Sequence, residues 1–178
     1  MGQDHFLEIG VVGDRRVERG DPANRGVEMF EQLVDVKNVI AVKESSEDTR
    51  RLTDLRRAHG ERFQLFAGVD DVVLESLMLG AQGWVSGLTN AFPRESVALF
   101  KLAQAGRYQE ALEIYRWFMP LLHLDTIPTL VQCIKLAEQI MGRGSEMVRA
   151  PRLCLEGAER AWVEGLVRDA VASRPTLS

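Results

Sequence analysis

The chain has 178 residues, 46% hydrophobic and 27% charged, with 26 acidic side chains against 22 basic ones and a net charge of −4. This is the profile of a soluble globular unit without the cationic excess that phosphate neutralisation requires, so it excludes a general nucleic-acid binder and disfavours anionic membrane surfaces. No run approaches the ~18–20 apolar residues of a transmembrane helix, and Met1–His5 opens no cationic, then apolar, signal segment, so a cytoplasmic protein is expected. Cys133 and Cys154 lie in apolar surroundings without CxxC spacing. They read as reduced thiols, with no metal site and no disulfide framework.

Residues 1–26 read as an irregular leader. Leu7–Val12 could be a short strand, but Gly13–Pro22 is charged, Gly-punctuated and without period. From residue 27 the chain alternates helix and strand signals. Met29–Val34 is a short helical stretch, and Asn38–Lys43 is a β-branched run of the kind buried on both faces of a parallel sheet. Ser45 and Ser46 offer N-caps for a helix over about 47–59 with Leu52, Leu55 and Ala58 on one stripe. Phe63–Ala67 is the next strand, Asp70 or Asp71 caps a helix over about 72–79, Gly80 ends it, and Gly83–Ser86 is a third strand. Three βα units at this spacing demand parallel pairing and right-handed crossovers, hence a doubly wound sheet or part of a (β/α) barrel.

Beyond Pro93 the pattern is helical. The stretch 94–105 starts behind that proline. Tyr108, Ala111, Leu112, Tyr115, Phe118, Met119 and Leu122 keep i, i+3/i+4 spacing, as do Ile127, Leu130, Val131, Ile134, Ala137, Ile140 and Met141. A last helix over about 157–172 carries Ala158, Ala161, Trp162, Leu166 and Ala170 as its apolar stripe. The expected division is a leader at 1–26, a partial barrel at 27–106 and a helical region of three antiparallel helices at 107–178.

Lys43 is the residue with the most chemistry in it. An apolar strand ending in lysine sets an ammonium at the carboxyl edge of a parallel sheet, where α/β and barrel folds keep their active sites. A neutral lysine amine there can attack a ketone, and the protonated Schiff base then serves as an electron sink for a neighbouring carbanion. The same lysine could equally snorkel to solvent or pair with an acid at the strand end. Glu44, on the alternate face, reads as a structural partner. Gly68 would let a ligand approach the backbone or simply turn the chain. His59 suits a helix C-terminus, and His123–Asp125 reads as an ordered polar turn. The chain contains no P-loop, GxGxxG or nucleophile elbow.

The segments Val39-Ile40-Ala41-Val42-Lys43-Glu44-Ser45-Ser46, Phe66-Ala67-Gly68-Val69-Asp70-Asp71 and Leu79-Gly80-Ala81-Gln82-Gly83-Trp84-Val85-Ser86, in this order and spacing, resemble the dihydrodipicolinate synthase / N-acetylneuraminate lyase family from about residue 27 to 175. The resemblance implies a (β/α)8 TIM barrel followed by a helical region, with Lys43 as the Schiff-base lysine. It implies substrate contacts for Gly68 and Asp70 of a G-x-D motif and for Val85 of the last strand. It also implies a usually tetrameric homo-oligomer with no metal or organic cofactor, acting on pyruvate or related 2-oxo acids by aldol, dehydration or deamination chemistry. His123–Asp125 and Val148–Arg152 look most like the branch that handles 2-keto-3-deoxy sugar acids or hydroxypyrroline carboxylates.

The chain also departs from that pattern. The family's serine or threonine pair for the substrate carboxylate is missing, and so is its proton-relaying tyrosine. If Pro22 is the proline of the Y-N-x-P motif, Arg19 stands at the tyrosine position, and Glu47 replaces the glycine common after K-E-S-S. With a complete (β/α)8 unit normally taking at least ~200 residues, 178 residues suggest its C-terminal part, strands six to eight plus the helices. The expectation is a Schiff-base lyase of low activity. Two readings compete with it: a non-catalytic association module, and a self-contained small α/β binding protein.

Overall fold

The computed structural model describes residues 5–9, as backbone, and 27–177. Four strands, β1 (His5–Ile9), β2 (Val39–Glu44), β3 (Gln64–Ala67) and β4 (Gly83–Trp84), pair in parallel in the order β1-β2-β3-β4. The strand at His5–Ile9 is a difference from the expected irregular leader, for which only a strand at Leu7–Val12 was in view. The outer edge of β2 offers it a ladder, and pairing overrides weak local propensity. Arg19 and Pro22 lie outside the described residues.

Between β1 and β2 a four-residue helix α1 (Glu28–Glu31) leads into a turn held from a distance. Arg62, just ahead of β3, donates to the carbonyls of Val34 (2.7 Å), Val36 (2.9 Å), Val39 (2.9 Å) and Leu33 (3.2 Å). Its guanidinium also lies 4.6 Å over the Phe63 ring. One planar fork of donors thus satisfies carbonyls that a short helix cannot satisfy for itself.

The crossover after β2 is α2 (Arg50–His59), which buries Leu52 and Leu55. It starts later than the serines suggest, and neither Ser45 nor Ser46 caps it. The Ser46 amide donates to Glu44 Oε1 (3.1 Å), Glu47 takes φ +65°, and Asp48 Oδ1 accepts the Arg50 amide at 3.1 Å. After β3 comes a 3-10 turn at Asp70–Val72 and then α3 (Val73–Met78), closed by Gly80 at φ +95°. The residues at the N-cap positions are Val69 for the 3-10 turn and Val72 for α3, in place of the expected aspartate.

Register sets the two faces of the sheet. Glu8, Lys43, Phe66 and Gly83 are lateral partners across all four strands. On the face opposite Lys43, Val42, Leu65 and Ala67 are buried, and Glu44 pairs with Arg51 of α2. On the Lys43 face, Ala41 is buried, Lys43 and Phe66 are half-buried and Gln64 is exposed.

The chain divides into two compact units between Val85 and Ser86. The second holds α4 (Pro93–Gln104), α5 (Tyr108–Leu122), α6 (Leu130–Ile140) and α7 (Gly157–Ala172). Its centre is aromatic: Phe92 meets Phe118 edge-on at 5.7 Å, and Trp117 stacks on Phe118 at 5.1 Å. Such pairs contribute about 0.5–1.5 kcal/mol each beyond the area they bury. Glu95, almost fully buried, is paired by Arg174 at 3.0 Å.

Helix α7 spans the expected residues but turns another face inward. Val163, Val167 and Ala170 are buried, whereas Ala158, Ala161 and Trp162 are exposed. The i, i+4, i+7 set beginning at Val163 is as periodic as the one beginning at Ala158, and the Trp117 indole settles the choice by donating to the Ala170 carbonyl (3.1 Å). Among the described residues no helix is long and apolar enough to cross a membrane.

Candidate active site

Lys43 is the penultimate residue of β2 and sits at the carboxyl edge of the sheet. Its surroundings come from the adjacent β3. The Gly68 amide donates to the Glu44 carbonyl at 2.8 Å, continuing the β2–β3 ladder one residue past β3. A methyl built at Gly68 would lie 2.7 Å from Lys43 Cγ, 2.7 Å from the Glu44 carbonyl oxygen, and closer still to Ser45 Oγ. Only a residue without Cβ lets the lysine stem and the serine pass at this point. Lys43 and Gly68, both anticipated from sequence, are therefore brought into direct apposition.

Ser45 is the member that sequence reasoning placed in another role, as a helix cap. Its Oγ is buried against Gly68 and has no hydrogen-bond partner. A buried hydroxyl without a partner is uncommon, because desolvating it costs free energy that no bond returns. The K-E-S-S run carried no signal that would have separated a buried serine from a capping one.

Glu44 behaves as the structural partner expected. It accepts Arg51 Nε at 3.0 Å and the Ser46 amide at 3.1 Å, with both charged side chains largely buried. The pair fixes the turn after β2 and keeps the carboxylate on the helix side of the sheet, away from Lys43.

Asp70 is 1% exposed and accepts the Trp84 indole N–H at 3.0 Å. This bond ties the turn after β3 to β4, and the sequence hid it because its two ends lie 14 residues apart. Val85 follows β4, donates its amide to the Ala67 carbonyl at 2.9 Å and leaves its side chain 38% exposed. The strand ends thus carry a half-buried primary amine packed closely against a glycine, a buried hydroxyl and an accessible aliphatic side chain.

Both cysteines belong to the second unit. The Cys133 thiol is pushed up from its ordinary pKa mainly by burial, and Cys154 Sγ lies 3.5 Å from the Glu146 carbonyl.

Comparison with known proteins bears on the family and the fold. The model of the dihydrodipicolinate synthetase family matches residues 22–170. The 4-hydroxy-tetrahydrodipicolinate synthase of Acidobacterium capsulatum is 31% identical over 169 residues, which are 92% of this chain and 56% of that protein. The enzyme of the same description from Chlorobaculum parvum is 32% identical over 130 residues, 73% of this chain and 44% of its own. Among solved structures, dihydrodipicolinate synthase from Aquifex aeolicus superposes with a TM-score of 0.74 at 26% identity, over 80% of this chain and 49% of that one. The 4-hydroxy-tetrahydrodipicolinate synthase of Methylacidiphilum fumariolicum SolV gives 0.72 at 27% identity, over 83% and 50%. The chain spans about half the length of the curated relatives it matches. In a parallel α/β sheet with a helical end, aligned with one half of these TIM barrels, the fold is the C-terminal portion of a (β/α)8 barrel followed by helices, and the chain belongs to the dihydrodipicolinate synthetase family.

Proposed function

We propose that the chain carries Schiff-base lyase chemistry on pyruvate or a related 2-oxo acid, with Lys43 as the nucleophile. The observation that supports this most is the close apposition of Lys43 and Gly68, where a missing Cβ lets the lysine stem pack against the next strand end at the carboxyl edge of a parallel sheet. The neutral amine adds to the keto carbon, water leaves, and a C–H bond of the adjacent carbon breaks, its proton passing to solvent and its electron pair moving into the protonated imine to give a neutral enamine. In this reading Gly68 gives the oxo acid access, Val85 packs on its carbon skeleton, and Asp70 holds the turn carrying Gly68 through its bond to Trp84.

Among the described residues, no serine or threonine pair corresponding to the family's carboxylate-binding pair stands beside Lys43. Losses of positioning and of proton relay each cost on the order of 10²-fold, so turnover is expected to be slow while imine formation persists. Incubation with pyruvate and borohydride, followed by peptide mass analysis, is the test. A reduced pyruvyl adduct on Lys43, absent in Lys43→Ala, is the expected result. No adduct, under conditions that label a full-length relative, overturns the assignment. Coverage of only half of each relative favours a second reading, a non-catalytic association module, and that same negative result is what it predicts.

A further inference from the structure

The four strands raise a problem of edges that is separate from catalysis. All four run parallel, and among the described residues no strand pairs with the outer edge of β1 or of β4. Parallel sheets are ordinarily covered on both faces, and unpaired edges are templates for another chain. Here α2 serves the face of Val42 through the Arg51–Glu44 pair, while the opposite face buries Val39 and Ala41 but leaves Gln64 exposed and Lys43 and Phe66 half-buried.

We propose that this face and these two edges are covered by a second copy of the same chain, in a two-fold pair that closes an eight-stranded parallel barrel. The geometry closes with whole numbers. A two-fold axis along the barrel axis leaves every strand pointing the same way, so β4 of one copy can pair in parallel with β1 of its partner, and the reciprocal pair forms at the other seam. The four described strands of each chain then make the eight strands of the family fold, and among the described residues no edge is left. Head-to-tail contacts of this kind end in a ring when the rotation closes, and two copies suffice here. The Lys43 face becomes the barrel interior, with Ala41, Gln64, Lys43, Phe66 and Gly83 contributed from each half. An open filament would need the seam to form without closure, and the curvature of an eight-stranded barrel opposes that.

The inference does not require a reactive lysine, so it stands or falls apart from the imine. Sedimentation equilibrium over the micromolar range should find a particle of two 20.0 kDa chains. Hydrogen exchange, read as a function of concentration, should show the amides of 5–9 and 82–85 gaining protection as the particle forms. Gln64→Arg sets a cation on a side chain that is exposed in one chain but enclosed in the barrel. It should raise the dissociation constant ~10-fold or more while leaving the melting of the dilute monomer unchanged. Three results would overturn the pair: a monomer at every concentration, as when a different polypeptide supplies the other half; a two-chain particle whose edge amides exchange as at dilution and which ignores Gln64→Arg; or growth beyond two chains.

Discussion

At Gly68 one missing methyl decides whether two strand ends can lie side by side. Glycine to alanine ordinarily stabilises by reducing the freedom of the unfolded chain, by about 0.4–1 kcal/mol. Here the new carbon would sit 2.7 Å from the Glu44 carbonyl oxygen, which is backbone and cannot turn aside. Overpacking of this kind costs about 1–3 kcal/mol, so Gly68→Ala should lower the urea midpoint and also reduce borohydride trapping at Lys43. The opposite sign is expected four residues after Lys43. Glu47 holds φ +65°, where a Cβ-bearing residue pays about 1–2 kcal/mol, and glycine gives back only about 0.5–1 of that in chain entropy. Glu47→Gly should therefore raise the urea midpoint, by about 0.5 kcal/mol of stability. Lys43 and Gly68 could be found in the sequence because their chemistry depends on residue type and strand position. The Asp70–Trp84 bond and the buried Ser45 hydroxyl could not, because both depend on which side chains meet in space.

Among the elements, strands and helices with a strong period fall close to where the sequence puts them, and the misreadings have local electrostatic or packing causes. The start of α2 moves to Arg50 because the Glu44 carboxylate claims the Ser46 amide and Asp48 takes the Arg50 amide. The inward face of α7 is set by Trp117, 53 residues away. The segment between α6 and α7 is anchored through Glu146, which accepts Arg160 Nε at 3.0 Å and Gln139 Nε2 at 3.1 Å. The Arg160 hydrogen bond is the main reason the Glu146 carboxyl lies below its ordinary pKa. A depressed carboxylate adds stability above its unfolded value of about 4.3 and loses it as pH falls through the folded value. Wild type should therefore melt above Glu146→Gln at neutral pH, and thermal scans should show the two curves converging below pH ~4. A gap that persists at lower pH would mean the carboxylate charge is not its source.

For the whole molecule, strand count matters more than any single contact. Three strands could be read from β-branched runs and turn residues, and the fourth, β1, exists because β2 has an edge to offer. Its own residues, followed by a charged, Gly-punctuated stretch, gave only an approximate strand. The two-unit division is also a property of contacts and not of composition, since the apolar period continues through α4 without a break. Slow turnover with an intact imine step would fit the proposal of Lys43 as nucleophile in a chain that spans about half the length of the relatives it matches.

The Arg62 fork has a consequence for the order in which this chain folds. Its four carbonyl partners lie 23 to 29 residues upstream, so the bonds close across β2 and α2. Contacts of short sequence separation form early, because little loop entropy is lost in making them. The β2–α2–β3 unit can thus set its register once Ala67 has left the ribosome, before the helical unit has emerged. The lysine and the glycine that face each other across that register are therefore positioned by the first part of the molecule able to fold.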